Sequence, residues 1–299
     1  MNEKQKGLRH ALDGISGILV TPFNETDEIS PHRLKPIVDR AVDAGVHVLV
    51  ANGNTSEFYA LDTNESEKMV HAIAEIVDGR VPLLGGVGKN IKDACRLAKA
   101  SKSAGLSALM VHQPPDPFAA PRGIIEYVER IAQEAHDLPL VLYLRDDAIG
   151  LDTIEKLARH PSVVGVKWAC PTPLRLCEMI SRTRDINLAW VGGLAESWGP
   201  SFYAVGARGF TSGLINVFPN RSVDIYNALE MGNYAKANQL INKTSQFEEL
   251  RTEERNGANV TVVKTALQII GNDCGHVRPP GAWPLANTAR EKLIRFFEN

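Results

Sequence analysis

Lys167 closes the run Ser162-Val163-Val164-Gly165-Val166-Lys167, which otherwise reads as a short, fully buried strand. An unpaired ammonium is costly to bury, and desolvation lowers the pKa of a lysine until the neutral amine is available. A neutral amine is the nucleophile that a Schiff-base enzyme needs to attack a ketone. The competing reading is a lysine that snorkels from the strand end into water. Tyr143 ends a second apolar run. Its ring can pack while its hydroxyl faces a cavity, and near Lys167 it would carry protons during imine formation. The plainer alternative is a core tyrosine with a satisfied hydroxyl. Arg145 can grip a second substrate carboxylate through paired hydrogen bonds, or it can pair with Asp146 or Asp147 beside it. The turn Asn52-Gly53-Asn54-Thr55-Ser56-Glu57 is small and polar. Its glycine admits a ligand close to the backbone, and the amides and side chains of Asn54, Thr55 and Ser56 can hold a carboxylate. The same side chains can instead bond their own backbone. Glu57 reads as a residue that orients the turn rather than one that reacts.

These residues need a frame that brings them to one place. Short apolar runs alternate with longer amphipathic ones from about Gly14 to Glu230. The strands are expected at Gly17–Val20, His47–Ala51, Leu83–Gly86, Ala108–Val111, Leu140–Tyr143, Val163–Lys167, Leu188–Val191 and Gly209–Ser212. Helix-like stretches separate them, beginning with Pro31–Ala44 and ending with Arg221–Glu230. Strands that are each followed by a helix predict an α/β fold of the (β/α)8 TIM-barrel type. An open doubly wound sheet is the runner-up, but it wants a Gly-x-Gly-x-x-Gly turn after the first strand, where this chain has Thr21-Pro22-Phe23. Residues 1–230 are read as the catalytic barrel and residues 231–299 as a C-terminal helical domain. Its helices are expected at Asn233–Leu250, Asn259–Ile270 and Asn287–Phe297. Chemistry in a barrel sits at the C-terminal strand ends. Those ends carry Thr21, Asn54 to Ser56, Tyr143, Lys167, Gly192-Gly193 and Ser212, and their convergence is the argument for a site.

The remaining features mostly exclude. Of 299 residues, 44% are hydrophobic and 23% charged, ordinary for a globular chain with a sizeable core. The net charge of −2 with no basic block argues against a nucleic-acid partner. Cys95, Cys170, Cys177 and Cys274 form no Cys-x-x-Cys pair and read as small buried hydrophobes in a reducing compartment. The dispersed histidines show no metal-ligand spacing, so no metal is expected. The charged start Met1-Asn2-Glu3-Lys4-Gln5-Lys6 lacks a following apolar stretch, so no signal peptide is read. No apolar run approaches the ~20 residues of a membrane span. A cytoplasmic protein without membrane association is the expectation. Gly85-Gly86-Val87-Gly88-Lys89 looks like a phosphate loop, but Leu83 stands where its first glycine should be and no Ser or Thr follows Lys89.

Taken together the chain resembles the dihydrodipicolinate synthase / N-acetylneuraminate lyase family of class I aldolases. The resemblance spans nearly the whole chain. It rests on Val20-Thr21-Pro22-Phe23, Gly53-Asn54-Thr55-Ser56-Glu57-Phe58, Leu142-Tyr143, Val164-Gly165-Val166-Lys167 and Arg278-Pro279-Pro280. It implies a barrel with a C-terminal helical domain, assembled as a homo-oligomer, a tetramer or dimer. It further implies Lys167 as the Schiff-base lysine, Tyr143 as its tyrosine and Thr55 as the threonine that binds carboxylate and relays protons. The synthase branch has a tyrosine in the loop after the fourth strand, where this chain reads His112-Gln113-Pro114-Pro115-Asp116-Pro117. That branch also has an arginine several residues beyond its fifth-strand tyrosine, near Ala148 here. Glu57-Phe58-Tyr59-Ala60-Leu61, Arg145-Asp146-Asp147-Ala148 and Gly192-Gly193-Leu194 look more like the 5-dehydro-4-deoxyglucarate dehydratase branch, whereas Trp168-Ala169-Cys170 does not.

The expectation is a lyase that takes a small 2-oxo acid and needs no cofactor. Lys167 attacks the ketone, Tyr143 and Thr55 carry protons, and Thr21, Asn54, Ser56, Arg145, Gly192, Gly193 and Ser212 bind substrate. Dehydration of a keto-deoxy sugar acid is favoured over condensation of pyruvate with an aldehyde. A barrel that only binds and senses a sugar acid would have no use for a buried amine.

Overall fold

The structure is a computed structural model that describes residues 3–298. Eight parallel strands close into a barrel in sequence order: β1 (Ile15–Ile18), β2 (Val48–Ala51), β3 (Leu83–Val87), β4 (Ala108–His112), β5 (Leu140–Leu144), β6 (Val163–Trp168), β7 (Ala189–Gly192) and β8 (Phe210–Ser212). Closure is made by β8 on β1, where Ser16 registers with Thr211. Each strand is buried along its whole length. That explains the continuous apolar runs, because a parallel barrel covers both faces of its sheet.

Helix α1 (Glu3–Ala11) precedes the barrel. The outer ring is α2 (Lys35–Asp43), α3 (Thr63–Val77), α4 (Ile91–Ser103), α5 (Pro121–Ala135), α6 (Leu151–Ala158), α7 (Pro173–Arg182), α8 (Gly199–Ala204) and α9 (Pro219–Glu230). Then α10 (Tyr234–Asn242), α11 (Ser245–Thr252), α12 (Asn259–Ile269) and α13 (Asn287–Glu298) follow, with no further strand among the described residues. Local sequence sets several starts. Asp62 and Glu65 form a reciprocal capping box on α3, with bonds of 2.8 and 2.9 Å. The Asn90 side chain accepts from Asp93 N at 3.0 Å to begin α4.

Inside the barrel, Ile18, Val50, Met110, Val141 and Val191 form one apolar cluster with Leu8 and Leu12. Leu8 and Leu12, from α1 and the residues just after it, pack into the barrel interior. The Arg9 guanidinium bonds Leu188 O just before β7 at 3.0 Å. Two larger apolar layers lie between the strands and the helices.

The boundaries differ from expectation in ways that matter for the site. β1 ends at Ile18, so Thr21 lies three residues beyond the strand instead of at its end. α1 was not expected, since its charged sequence hides Leu8, and Leu12 follows just after it. The single helix expected at Asn233–Leu250 is two helices that part at Lys243 and Thr244. Thr244 is buried, and its hydroxyl bonds back to Ile241 O at 2.9 Å, which competes with helix continuation. Of the cysteines, Cys170 and Cys274 are buried, while Cys95 is intermediate and Cys177 exposed. Among the described residues, no helix is long and apolar enough to cross a membrane.

Candidate active site

Neighbouring strands in register bring three side chains side by side. His112 of β4 registers with Tyr143 of β5, and Tyr143 registers with Lys167 of β6. Registered partners in parallel strands point to the same face. Here that face is the barrel interior at the C-terminal mouth. A cavity of about 400 Å³ opens there, lined by Asn54, Thr55, Tyr143, Arg145, Lys167, Gly193 and Ser212 among others. Small-molecule sites commonly have this size. A larger open groove between α3 and α4 has no such convergence; Glu67 and Arg96 within it form a surface ion pair at 2.6 Å.

Lys167 is 5% exposed, and its Nζ sits 3.8 Å from the centroid of the Tyr143 ring. Burial pushes its pKa down to about 7, and the Arg145 charge adds to the effect. The ring face favours the ammonium by about 0.5–2 kcal/mol. The loss of hydration opposes this and is larger. The lysine does not snorkel to water; its amine is held inside the cavity.

Burial raises Tyr143 to about 12. Its hydroxyl oxygen accepts from Asn54 Nδ2 at 2.9 Å. The amide uses the phenol as acceptor, so the phenolic proton stays available to another group. Asn54 Oδ1 is buried without a partner. His112 is held neutral, its pKa pushed down to about 3 by burial. Its ring stacks on Phe58 at 4.5 Å, and its Nε2 donates to Asn52 O at 3.0 Å. Tyr143 thereby has one edge against His112, with centroids 5.2 Å apart, and the Lys167 amine over its face.

Arg145 is exposed at the rim of the cavity. It pairs with neither neighbour: Asp147 takes Arg175 at 2.9 Å, and Asp146 Oδ1 accepts from Ala148 N. The Gln113 side chain fixes the backbone here, accepting from Arg145 N at 2.8 Å and Asp146 N at 2.9 Å. Gly193 N donates to Trp168 O at 2.7 Å. A Cβ at residue 193 would fall 2.7 Å from Ala169 Cβ, so only glycine lets the ends of β6 and β7 meet there.

Three expected binding residues, Thr21, Ser56 and Gly192, stand outside the cavity, and Ser212 reaches only its margin. Thr21 is fully buried and donates to Ser56 O at 2.6 Å. Ser56 Oγ donates to Leu19 O at 2.5 Å and accepts from Gly53 N at 3.0 Å. Both brace the loops after β1 and β2 beneath the cavity and do not line it, because β1 ends too early for Thr21 to reach the mouth. Gly192 faces outward, toward Phe202 of α8, since Val191 is the inward residue on β7. Ser212 touches the cavity margin, but its hydroxyl donates to buried Glu196 at 2.5 Å. On β8 the strand alternation hands the cavity to Thr211 instead.

The period-two rule, applied to β8, would have found Thr211. Glu248, Arg251, Thr252, Asn256 and Asn259 also line the cavity and come from α11, the turn after it and the start of α12. In the sequence, Glu248 and Arg251 look like an ordinary i,i+3 surface pair. Glu57 pairs with Lys264 of α12 at 2.6 Å and accepts from Arg278 N at 2.9 Å, so the turn that carries Thr55 is tied to the C-terminal segment.

A profile of the dihydrodipicolinate synthetase family matches residues 11–299. A 4-hydroxy-tetrahydrodipicolinate synthase of Methanoculleus marisnigri is 30% identical, over 90% of this chain and 92% of that protein. A probable 5-dehydro-4-deoxyglucarate dehydratase of Oceanobacillus iheyensis is 28% identical, over 91% of this chain and 89% of that protein. The crystal structure of dihydrodipicolinate synthase from Oceanobacillus iheyensis superposes with a TM-score of 0.94 at 34% identity, covering 99% of this chain and 98% of that one. With the closed barrel and the match along nearly its whole length, the chain belongs to the dihydrodipicolinate synthetase family and is an enzyme of the lyase type.

Proposed function

We propose that this lyase forms a Schiff base between Lys167 and a 2-oxo acid, and that its reaction is the dehydration of a keto-deoxy sugar acid such as 5-dehydro-4-deoxyglucarate. The observation that carries the Schiff-base step is the Lys167 amine, buried at the cavity floor against the Tyr143 ring with its pKa near 7. The amine attacks the ketone carbon, and the carbinolamine loses water to give an iminium. The iminium draws electrons from the adjacent carbon, whose proton leaves to form an enamine. The enamine then expels the hydroxyl of the next carbon, which departs as water after taking up a proton. Hydrolysis of the resulting iminium frees Lys167. The phenolic proton of Tyr143 is unclaimed by Asn54 and can be given to the departing oxygen, with Thr55 on the same cavity wall as its relay. Asn54 and Thr55 hold the carboxylate next to the ketone through their side chains and the Thr55 amide. Arg145 at the rim suits a second carboxylate.

Two observations favour dehydration over condensation. Arg145 offers a charge for a diacid, and the loop after β4 carries Gln113 and prolines with no tyrosine. Condensation of pyruvate with an aldehyde is the second reading, supported by the 30% identical synthase. Borohydride added to protein incubated with pyruvate should leave one adduct, on Lys167, detected by peptide mass. Lys167→Ala should remove it with the circular dichroism unchanged. Turnover of 5-dehydro-4-deoxyglucarate should exceed that of pyruvate plus aspartate semialdehyde, and Tyr143→Phe should lower it about a hundredfold or more. An adduct on any other lysine, or full activity in Tyr143→Phe, defeats the assignment.

A further inference from the structure

The cavity has a wall that the proposed chemistry does not use. α11, the turn after it and the start of α12 contribute Glu248, Arg251, Thr252, Asn256 and Asn259 to its lining. Arg251 is 6% exposed, although it carries a full charge. Its Nη1 donates to both Glu248 carboxylate oxygens, at 2.7 and 2.8 Å. Its Nε and Nη2 donate to Asn259 Oδ1, at 3.2 and 2.9 Å. The guanidinium therefore stands in a fixed orientation with its charge balanced inside the wall.

Two features of the backbone keep it there. A Cβ at residue 213 would lie 2.6 Å from Arg251 Nη2. Gly213 has φ −92°, a conformation open to any residue, so glycine is needed here for space. The turn between α11 and α12 holds Glu254, Arg255 and Asn256 at φ 52°, 58° and 68°, three successive non-glycine residues in the left-handed region. Such backbone is unfavourable and persists where surrounding structure imposes it. Here it brings Asn256 to the cavity and Asn259 to Arg251.

A purely structural ion pair within α11, tied to α12 through Asn259, would not need to face a substrate cavity. The wall also has bonding capacity left over. Nη2 has a second hydrogen, each Glu248 oxygen has a second lone pair, and Thr252 and Asn256 add a hydroxyl and an amide. A second carboxylate would meet the Glu248 charge, and an apolar chain would strand these groups. A hydroxylated carbon chain satisfies both kinds, donating to Glu248 and accepting from Arg251 and Asn256. We infer that Glu248, Arg251 and Asn256 form a subsite for the hydroxyl-bearing carbons of the substrate beyond the reacting ketone. This rests on the Schiff-base reading and narrows its substrate to polyhydroxylated 2-oxo acids.

The test uses the full chain and three probes: pyruvate, 2-oxohexanoate and 2-keto-3-deoxygluconate. The last two share a six-carbon backbone and differ in hydroxyls. The readout is the concentration of each that half-saturates the borohydride adduct on Lys167. The wild type should favour the hydroxylated acid over 2-oxohexanoate by at least about tenfold, the worth of one net hydrogen bond. Glu248→Gln, nearly isosteric, should bring that ratio below about threefold, and Gly213→Ala, which displaces the guanidinium, should do the same. Arg251→Lys should restore part of what Arg251→Met loses. A wild type with no preference, or a folded Glu248→Gln that keeps it, overturns the subsite while leaving the Schiff base standing. If no probe marks Lys167, both readings fall together. If pyruvate plus aspartate semialdehyde turns over and Glu248→Gln abolishes that alone, the wall serves a zwitterion and the hydroxyl assignment is wrong.

Discussion

At the scale of single residues, the lowered pKa of Lys167 comes from its surroundings. Burial makes the larger contribution and the positive charge of Arg145 the next, and both disfavour the ammonium. The neutral fraction, and with it adduct formation, rises with pH through about 7. Replacing Arg145 by Met removes a like charge and so favours the ammonium. The pKa of Lys167 moves up, and the rate of pyruvate adduct formation reaches its midpoint at a higher pH, by about one unit or less. Stopped-flow trapping across pH 5.5 to 9 reads the midpoint directly. A midpoint that stays in place, or moves down, removes Arg145 from the account of this lysine. The same variant should weaken a diacid more than pyruvate, because only the diacid has a carboxylate for the rim. His112 does not join this titration, since burial keeps it neutral at every pH the enzyme would meet.

At the scale of elements, the turn after β2 is held from two sides. Thr21 and Ser56 brace it against the loop after β1. Glu57, at φ 56°, reaches the other way to Lys264 of α12, whose ammonium also donates to His276 O at 2.6 Å. Lys264 is 0% and Glu57 8% exposed, so this is a dry ion pair. Removing one member strands the other charge, which costs about 3–5 kcal/mol in comparable pairs. Lys264→Met should therefore lower the free energy of urea unfolding by that order. Glu57→Gln combined with Lys264→Met should lose less than Lys264→Met alone, because no buried charge is left unpaired. A single variant within about 1 kcal/mol of wild type would mean that water reaches the pair. Thr55 sits two residues from Glu57, so the single variant should also slow turnover more than it weakens pyruvate binding.

At the scale of the whole molecule, the C-terminal helices share a core with the barrel. Leu34 and Ile37 beside the early strands, Ile225 of α9 and Phe247, Val262 and Leu293 of the last helices belong to one continuous apolar cluster. We propose that residues 231–299 form a helical unit that is stable only against the barrel. The amides of α12 should then exchange with solvent at the same free energy as those of β1 and β2, in a single cooperative opening. Hydrogen exchange followed by mass spectrometry measures both in one experiment. Release of α10 to α13 in an earlier, separate step would contradict the proposal and would mark a second independent domain.

How much of this could be read from the chain follows from the range of each interaction. The barrel was legible because continuous apolar runs of strand length, each followed by an amphipathic helix, have few other solutions. Lys167 and Tyr143 stood out because a polar group ending a buried strand is costly unless it serves a purpose. The alternation that points Lys167 inward is local, and it would equally have chosen Thr211 over Ser212 and Val191 over Gly192. Thr21 was misjudged by a strand boundary that lay two residues away from where apolarity placed it. α1 and the break at Thr244 were hidden, the first by its charged sequence and the second because a threonine inside an amphipathic run does not announce which of its two bonds prevails. What no local pattern carries is that α11, some eighty residues after Lys167 and in another part of the fold, turns Glu248 and Arg251 into the same cavity. Sequence alone determined the frame and the buried amine proposed to react, since periodicity and burial act over a few residues. The tertiary structure decided which polar groups line the cavity, because that depends on long-range packing of helices whose faces look like ordinary surface until they are docked.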